Sequence, residues 1–136
     1  LVLFTFPGAP TVYYGDEAGM EGWEDPFNRA GYPWGQENSE LKFFFSDLAH
    51  LRREQPALQT GQLHWRWTAG PLLAFARELD GQLLTTVVNV ADTPQTLTLP
   101  WFGDTARDLL SSEALSPADN VLPLTLLPHQ GLLLTT

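Results

Sequence analysis

The sequence has 136 residues, of which 43% are hydrophobic and 12% aromatic, enough to build the core of one ordinary domain. Sixteen acidic residues against seven basic ones give a formal net charge of −9, which argues against nucleic acid or an anionic membrane surface as a partner. The chain has no cysteine, which excludes disulfides and thiolate metal sites, and no apolar run reaches the roughly 18–20 residues that cross a bilayer. The cellular compartment stays open.

The chain begins with the apolar run LVLFTF, which Pro7-Gly8 closes. A short run of this kind is typical of a strand buried on both faces, as in a parallel sheet or a barrel. It has neither a start methionine nor the charged region and cleavage site of a signal peptide. Because both edges of such a strand need partners, we expect Leu1 to follow a cut in a longer chain.

The next segment, residues 7–38, is a long acidic and aromatic loop. It holds six glycines and four prolines, too many for a long regular element. It also carries two adjacent acidic pairs, Asp16-Glu17 and Glu24-Asp25. Loops of this length in compact domains are usually functional, so this segment is the first candidate for a site.

The acidic pairs are poorly suited to catalysis on their own. Glycoside hydrolysis needs two facing carboxyl groups, about 5–5.5 Å apart for retention of configuration and further apart for inversion. Neighbouring side chains on extended backbone point to opposite sides. We therefore expect Asp16 and Glu17 to accept hydrogen bonds from loop amides. A pairing of Asp16 with Asp25 is a weaker alternative, because the spacing specifies no geometry.

Metal binding by the loop is also a weak alternative. Its clustered carboxylates offer the hard oxygen ligands that calcium prefers, but their spacing does not match an EF-hand: Asp16, Glu17, Glu21, Glu24 and Asp25. The histidines at positions 50, 64 and 129 have no serine or acid at suggestive spacing, which favours surface or hydrogen-bonded roles. We assign no metal and no cofactor.

A helix is predicted over residues 39–54, with Asn38 or Ser39 as the N-cap and Pro56 preventing its continuation. Its apolar side chains recur at helical spacing: Leu41, Phe44, Phe45, Leu48 and Leu51. Phe43 lies opposite this stripe, so we expect packing partners on both sides of the helix. Arg52 lies close to the stripe, where a charge needs a partner, which favours a structural role.

After the sequence PALQTG the pattern becomes all-β. Runs near residues 63–67, 73–75 and 83–90 predict three antiparallel strands in a meander, with a hairpin at Asp80-Gly81. Further short runs are spaced as in a β-sandwich: residues 96–99, 107–110, 122–127 and 132–135. We place the domain boundary near residue 58.

Two tryptophans of the first predicted strand, Trp65 and Trp67, should point to the same side. They could form a flat platform for sugar rings, or they could seal the join between the β-domain and the helix. Core packing is the favoured alternative, because a domain of this size needs such anchors.

The sequence FPGAPTVYYGDEAGMEGWEDPFNRAGYPW resembles the segment after the eighth barrel strand of the α-amylase family, glycoside hydrolase family 13, which carries a G-x-P-x-x-Y-Y-G-D-E signature. LKFFFSDLAHLRREQPAL is similar to the eighth barrel helix of that family, and the β-rich remainder to its C-terminal sandwich, domain C. The resemblance implies an α+β fragment. Residues 1–58 would be the last strand, substrate loop and last helix of a (β/α)₈ barrel, and residues 59–136 an antiparallel β-sandwich.

Within the family, the loop is most similar to the neopullulanase, cyclomaltodextrinase and maltogenic amylase group. The resemblance implies that Asp25 and Arg29, from the pattern D-P-x-x-R, bind a glucose unit of an α-glucan oligosaccharide. A guanidinium fork and a carboxylate fit sugar hydroxyls, since one donates hydrogen bonds and the other accepts them. A surface ion pair that only closes the loop is the alternative.

The family's two catalytic aspartates and its glutamate lie on or after earlier barrel strands, and the sequence has no position that matches their motifs. The resemblance thus implies no catalytic residue here and an inactive fragment of a retaining enzyme, whose longer chain would cleave α-1,4 bonds and, as a second candidate, α-1,6 bonds. The rival hypothesis is a free-standing β-sandwich that binds carbohydrate or protein. Without barrel neighbours, residues 1–35 should be disordered or packed against another copy in a homodimer.

Overall fold

A computed structural model describes all residues, 1–136. Its three α-helices are α1 (Val2–Thr5), α2 (Ser39–Glu54) and α3 (Pro56–Thr60), and short 3₁₀ turns cover Asp16–Ala18 and Phe27–Arg29. The strands follow in order: β1 (Gln62–Trp67), β2 (Leu72–Leu79), β3 (Gln82–Asn89), β4 (Gln95–Pro100), β5 (Ala106–Asp108), β6 (Ala114–Leu115), β7 (Val121–Leu126) and β8 (Gly131–Thr135). None of the helices is both long and apolar enough to span a membrane.

The strands form two antiparallel sheets that pack as a sandwich. The larger sheet has six strands in the order β1-β2-β3-β8-β5-β6, and the smaller pairs β4 with β7. Strands β1 to β3 form the meander predicted from the sequence. Asp80 and Gly81 link β2 to β3 with φ of 51° and 84°, the left-handed pair that a tight type I′ hairpin requires.

The two faces of the large sheet bury different cores, because side chains alternate along each strand. One face packs against the β4–β7 pair around Leu99, Trp101 and Leu134, all buried. The other face packs against α3 through Leu84 and Leu133, with Ala57 and Leu58 opposite. The helical segment therefore lies on one side of the sheet and the small sheet on the other.

Helix α2 has the predicted bounds. Asn38 is its N-cap, with a side-chain oxygen that accepts a 3.0 Å hydrogen bond from the Leu41 amide. Leu48 is fully buried on the apolar stripe. Phe43 on the opposite side is exposed, so the second packing partner that we expected is not formed within this chain.

The prediction of a strand over residues 1–6 was wrong. Val2–Thr5 instead forms one helical turn, in which the Phe4 amide donates to the Leu1 carbonyl and the Phe6 amide to the Val2 carbonyl. No strand of the chain pairs with this segment. Some of its backbone hydrogen bonds are made within the turn, and the carbonyls of Phe4 and Thr5 accept from the side chains of Arg52 and Arg77. A barrel strand is thus not part of the fold, and the sheet structure is that of the β-sandwich.

Candidate functional site

The candidate site lies in the loop of residues 7–38. Two links give this loop its shape: the Tyr14 hydroxyl donates a 3.0 Å hydrogen bond to the Ala30 carbonyl, and the Asn38 amide donates to the Ala18 carbonyl. Gly15 makes the turn between them at φ of 93°, where a side chain would also collide with Met20. The loop encloses a small cavity of about 110 Å³ between Tyr13, Met20 and Phe27.

Asp25 and Arg29 form the ion pair that their spacing allows. Arg29 Nε lies 2.8 Å from Asp25 Oδ1, and the side chains of Arg29 and Asp25 are 74% and 61% exposed, respectively. The 3₁₀ turn Phe27–Arg29 brings them together. Because only one nitrogen of the guanidinium is engaged, its other N–H groups and the second carboxylate oxygen remain free for a ligand.

The loop that carries this pair also exposes several aromatic rings. The exposed side chains include Tyr13, Trp23, Phe27 and Trp34. Tyr32 and Trp34 lie against each other, with ring centroids 4.5 Å apart. A loop that offers both exposed rings and free hydrogen-bonding groups suits sugar rings, which have apolar faces and polar edges.

The base of the loop carries a polar network next to α2. Glu17 accepts a 3.0 Å hydrogen bond from the Gly15 amide, which confirms the loop-amide role expected for this side chain. No such bond is formed by the Asp16 side chain. Burial, followed by the charge of Glu17, raises the pKa of the Tyr32 phenol.

Glu37 and Lys42 tie the end of the loop to α2. Lys42 Nζ donates a 3.2 Å hydrogen bond to Glu37 Oε1. A hydrogen bond from its own amide, followed by that from Lys42, lowers the pKa of the Glu37 carboxyl, and the same pair raises the pKa of Lys42.

Two buried arginines hold the segment that leads into the loop. Arg52 donates to the carbonyls of Phe4 and Gly8, both at 2.6 Å, which confirms its structural role. Arg77 donates to the carbonyls of Thr5, Leu58 and Gly61 at 2.8–3.2 Å. Burial, followed by the charge of Arg52, lowers the pKa of Arg77.

Sequence reasoning missed Arg77, and the available signal was a charge, next to Glu78, at the end of an otherwise apolar strand. It also missed Asp108, a buried carboxylate that accepts hydrogen bonds from the Leu133 amide at 2.9 Å and the Ser111 hydroxyl at 2.7 Å. Both residues stabilise the fold and neither reaches the loop.

The prediction that Trp65 and Trp67 share one side of β1 was wrong. A bulge shifts the register between them, so Trp65 pairs with Phe75 but Trp67 pairs with Ala74. Phe75 and Ala74 point to opposite faces, and the tryptophans do the same. Trp65 packs against Phe6 and Phe75, each 6.0 Å away between ring centroids, and seals the N-terminal segment against the sheet. A two-tryptophan platform is therefore not formed.

The remaining candidates have structural partners. His50 Nδ1 lies 2.8 Å from the Ser46 carbonyl and His129 Nε2 lies 2.9 Å from Asp92 Oδ1, which confirms surface or hydrogen-bonded roles for these two residues. His64 Nε2 lies 3.1 Å from Glu78 Oε2, but this nitrogen is buried and makes no hydrogen bond. The acidic side chains of the loop do not gather into a group of three that could hold a metal ion.

Comparisons with known proteins agree with this architecture. Residues 69–133 match the family of maltogenic amylase C-terminal domains. Neopullulanase 2 of Thermoactinomyces vulgaris is 36% identical over 143 aligned positions, covering 98% of this chain and 24% of that protein. The chain spans between 4% and 24% of the length of the curated relatives it matches.

Solved structures extend the likeness to the helical part. Ttha1563 of Thermus thermophilus superposes with a TM-score of 0.86 at 37% identity, covering 98% of this chain and 29% of that one. The debranching enzyme of Nostoc punctiforme, from an acarbose-soaked crystal, gives a TM-score of 0.78 at 31% identity, with 99% and 27% covered.

The sheet order, the family match and these superpositions define an antiparallel β-sandwich domain of the kind found in glycoside hydrolases. The chain belongs, as a C-terminal domain, to the α-amylase family, in the neighbourhood of the neopullulanases and cyclomaltodextrinases.

Proposed function

We propose that this chain is the C-terminal part of a retaining glycoside hydrolase that cleaves α-1,4-glucosidic bonds of maltodextrins, cyclodextrins or pullulan, with α-1,6 bonds as a second target. Loop 7–38 supplies one sugar-binding position, and residues upstream of this chain supply the catalytic carboxylates. The boundary between the barrel end and the sandwich falls near residue 58, between α2 and β1. The chain alone is inactive.

The observation that carries the proposal is the exposed ion pair of Asp25 and Arg29 in a loop that also exposes several aromatic side chains. A pair that served only to close the loop would gain little at such exposure, because water screens it. The free N–H groups of Arg29 donate to a hydroxyl pair of glucose, and the free oxygen of Asp25 accepts from another hydroxyl.

The names of the relatives support the substrate class. Neopullulanase 2 is named for pullulan, and the debranching enzyme was soaked with acarbose. The rival hypothesis of a free-standing binding module centred on Trp65 and Trp67 has lost its main support, since the bulge separates the two rings.

The test compares the 136-residue chain with the longer polypeptide that contains it. Reducing ends released from maltoheptaose, β-cyclodextrin and pullulan are measured for both. We expect release by the longer polypeptide only. Activity of the chain alone would overturn the assignment of the catalytic groups, and inactivity of both would overturn the proposed reaction.

Variants of the longer polypeptide test the sugar-binding position. Asp25→Ala and Arg29→Ala should each lower kcat/KM for maltoheptaose by roughly 10–100-fold, as expected for the loss of hydrogen bonds to a charged group. Glu24→Ala, an exposed acid next to Asp25, is the matched control and should leave kcat/KM unchanged. Equal effects of Glu24→Ala and Asp25→Ala would contradict the role of Asp25.

A further inference from the structure

A second groove with ligand-binding character lies at the open edge of the sandwich, outside loop 7–38. It has a volume of about 430 Å³ and lies between β1, β2 and the end of β4. Its walls include Arg66, Glu78, Leu83, Pro100, Phe102 and Thr136. Clefts of roughly 300–1,000 Å³ with a few polar groups among apolar walls are typical of small-molecule sites.

Phe102 presents its ring to solvent from a fixed turn. It is 76% exposed, whereas its neighbour Trp101 is 2% exposed in the sandwich core. Trp101 Nε1 donates a 3.0 Å hydrogen bond to the Thr105 carbonyl, and the Trp101 amide donates to the Asn120 carbonyl at 2.8 Å. These bonds close and anchor the turn that carries Phe102, so the ring is held out at the groove without a packing partner of its own.

Two opposite charges stand in the same groove. Arg66 donates one hydrogen bond, from Nη2 to the Pro100 carbonyl, and no carboxylate lies within ion-pair distance of it. Its other guanidinium N–H groups remain available. Glu78 Oε2 lies 3.1 Å from His64 Nε2. The Glu78 side chain is half exposed, so its Oε1 is free to accept a hydrogen bond.

This combination selects for the charge and shape of the ligand. Glu78 repels an anion and Arg66 repels a cation, so a neutral ligand that both donates and accepts hydrogen bonds fits best. An exposed aromatic ring beside such groups suits a molecule with an apolar face and a polar edge. A sugar ring of a neutral oligosaccharide has these properties.

We propose that this groove is a second, non-catalytic binding site for an α-glucan chain, with Phe102 as the stacking surface and with Arg66 and Glu78 as the hydroxyl partners. The choice of an α-glucan rests on the proposed function, whereas the groove and its three side chains do not. The site would hold a long substrate on the sandwich, away from the position at Asp25 and Arg29.

The test uses the 136-residue chain and maltoheptaose, with binding followed by titration of amide chemical shifts. We expect shifts at Gly81, Phe102 and Gly103, and a roughly three- to tenfold weaker affinity of the site in Phe102→Ala. Arg66→Gln should weaken it as well. Phe43→Ala, which removes an exposed ring from α2, is the matched control and should leave the affinity unchanged.

The outcomes separate this site from the position in the loop. Shifts confined to residues 13–34 that disappear in Asp25→Ala would support the proposed function and overturn the second site. Shifts at the groove that persist in Asp25→Ala and weaken in Phe102→Ala support the second site. Two further results would also overturn the second site. One is that Phe102→Ala and Arg66→Gln bind maltoheptaose in the groove with the same affinity as the unmodified chain. The other is that no shifts occur there at millimolar maltoheptaose.

Discussion

Arg52 Nη1 donates a 2.6 Å hydrogen bond to the main-chain carbonyl of Phe4, 48 residues earlier in the chain. The same side chain reaches the carbonyls of Phe6 at 3.3 Å and Gly8 at 2.6 Å. A single guanidinium on α2 thereby fixes the stretch from which loop 7–38 departs. Arg52 touches neither Asp25 nor Arg29, but it anchors the start of the loop that carries them.

We expect Arg52→Met to destabilise the chain by about 2–4 kcal/mol. The substitution keeps much of the side-chain volume but leaves the buried carbonyl of Phe4 and the partly buried carbonyl of Gly8 without a donor. An unsatisfied buried group costs about 1–3 kcal/mol. The free energy of unfolding is measured by urea titration. Amide hydrogen exchange of residues 9–38 should accelerate in parallel, because the base of the loop loses its anchor.

Arg53→Met is the matched control for this change. Arg53 is the next residue of the same helix, but its side chain is exposed and donates no hydrogen bond, so we expect a change within about 0.5 kcal/mol. Similar unfolding energies for the two variants would show that the carbonyl contacts of Arg52 do not stabilise the fold.

The parts of this fold that the sequence predicted are those with local causes. Helix α2 follows from apolar spacing, an Asn38 cap and Pro56, and the β2–β3 hairpin follows from Asp80-Gly81; each signal lies within the element it forms. An ion pair between Asp25 and Arg29 was one of the two predicted roles, because i and i+4 are close in a turn.

The parts that the sequence did not predict depend on distant neighbours. An apolar run such as LVLFTF becomes a strand only where other strands accept its hydrogen bonds, and here it turns into α1. The bulge that separates Trp65 from Trp67 is a register shift against β2, invisible in β1 alone. The partners of Arg77 are backbone groups, and so are those of Asp108 apart from the Ser111 hydroxyl; backbone partners have no sequence signature.

Asp108→Asn should destabilise the sandwich by about 2–3 kcal/mol. Asp108 Oδ1 accepts from the Leu133 amide, and Oδ2 accepts from the amide and hydroxyl of Ser111. An asparagine replaces one accepting oxygen with an NH₂ donor, which faces another donor and leaves it unpaired. The free energy of unfolding is measured by urea titration.

Asp104→Asn is the matched control, because it removes the same charge from an exposed loop. Its unfolding energy should stay within about 0.5 kcal/mol of that of the unmodified chain. A loss of equal size in both variants would assign the effect to net charge rather than to the hydrogen bonds of Asp108.

Acidification should loosen loop 7–38 from α2. The pKa of Glu37 is lowered by hydrogen bonds that exist only in the folded chain, so this carboxylate stabilises the fold above its ordinary pKa of 4.5. The contribution is lost as the pH falls through the lowered pKa, when Glu37 takes up a proton and its bond to Lys42 weakens.

The measurement is the urea midpoint of the unmodified chain and of Glu37→Gln between about pH 7 and pH 2, a range that spans the ordinary and the lowered pKa of Glu37. The variant should have the lower midpoint at neutral pH, and the difference should vanish at the acid end. Glu40→Gln, an exposed acid in the first turn of α2, controls for charge alone. A difference between the unmodified chain and Glu37→Gln that persists unchanged at the acid end would rule out this linkage.

Gly81→Ala should destabilise the β2–β3 hairpin by about 1 kcal/mol. Gly81 has φ of 84°, in the left-handed region where a side chain is strained, although nothing lies within 4 Å of the added methyl group. The cost is therefore conformational, with no steric clash. Gly31→Ala is the matched control, since Gly31 also has open space around it but no positive φ. We expect Gly31→Ala to be neutral or slightly stabilising by urea titration, and a loss as large as that of Gly81→Ala would contradict a backbone origin.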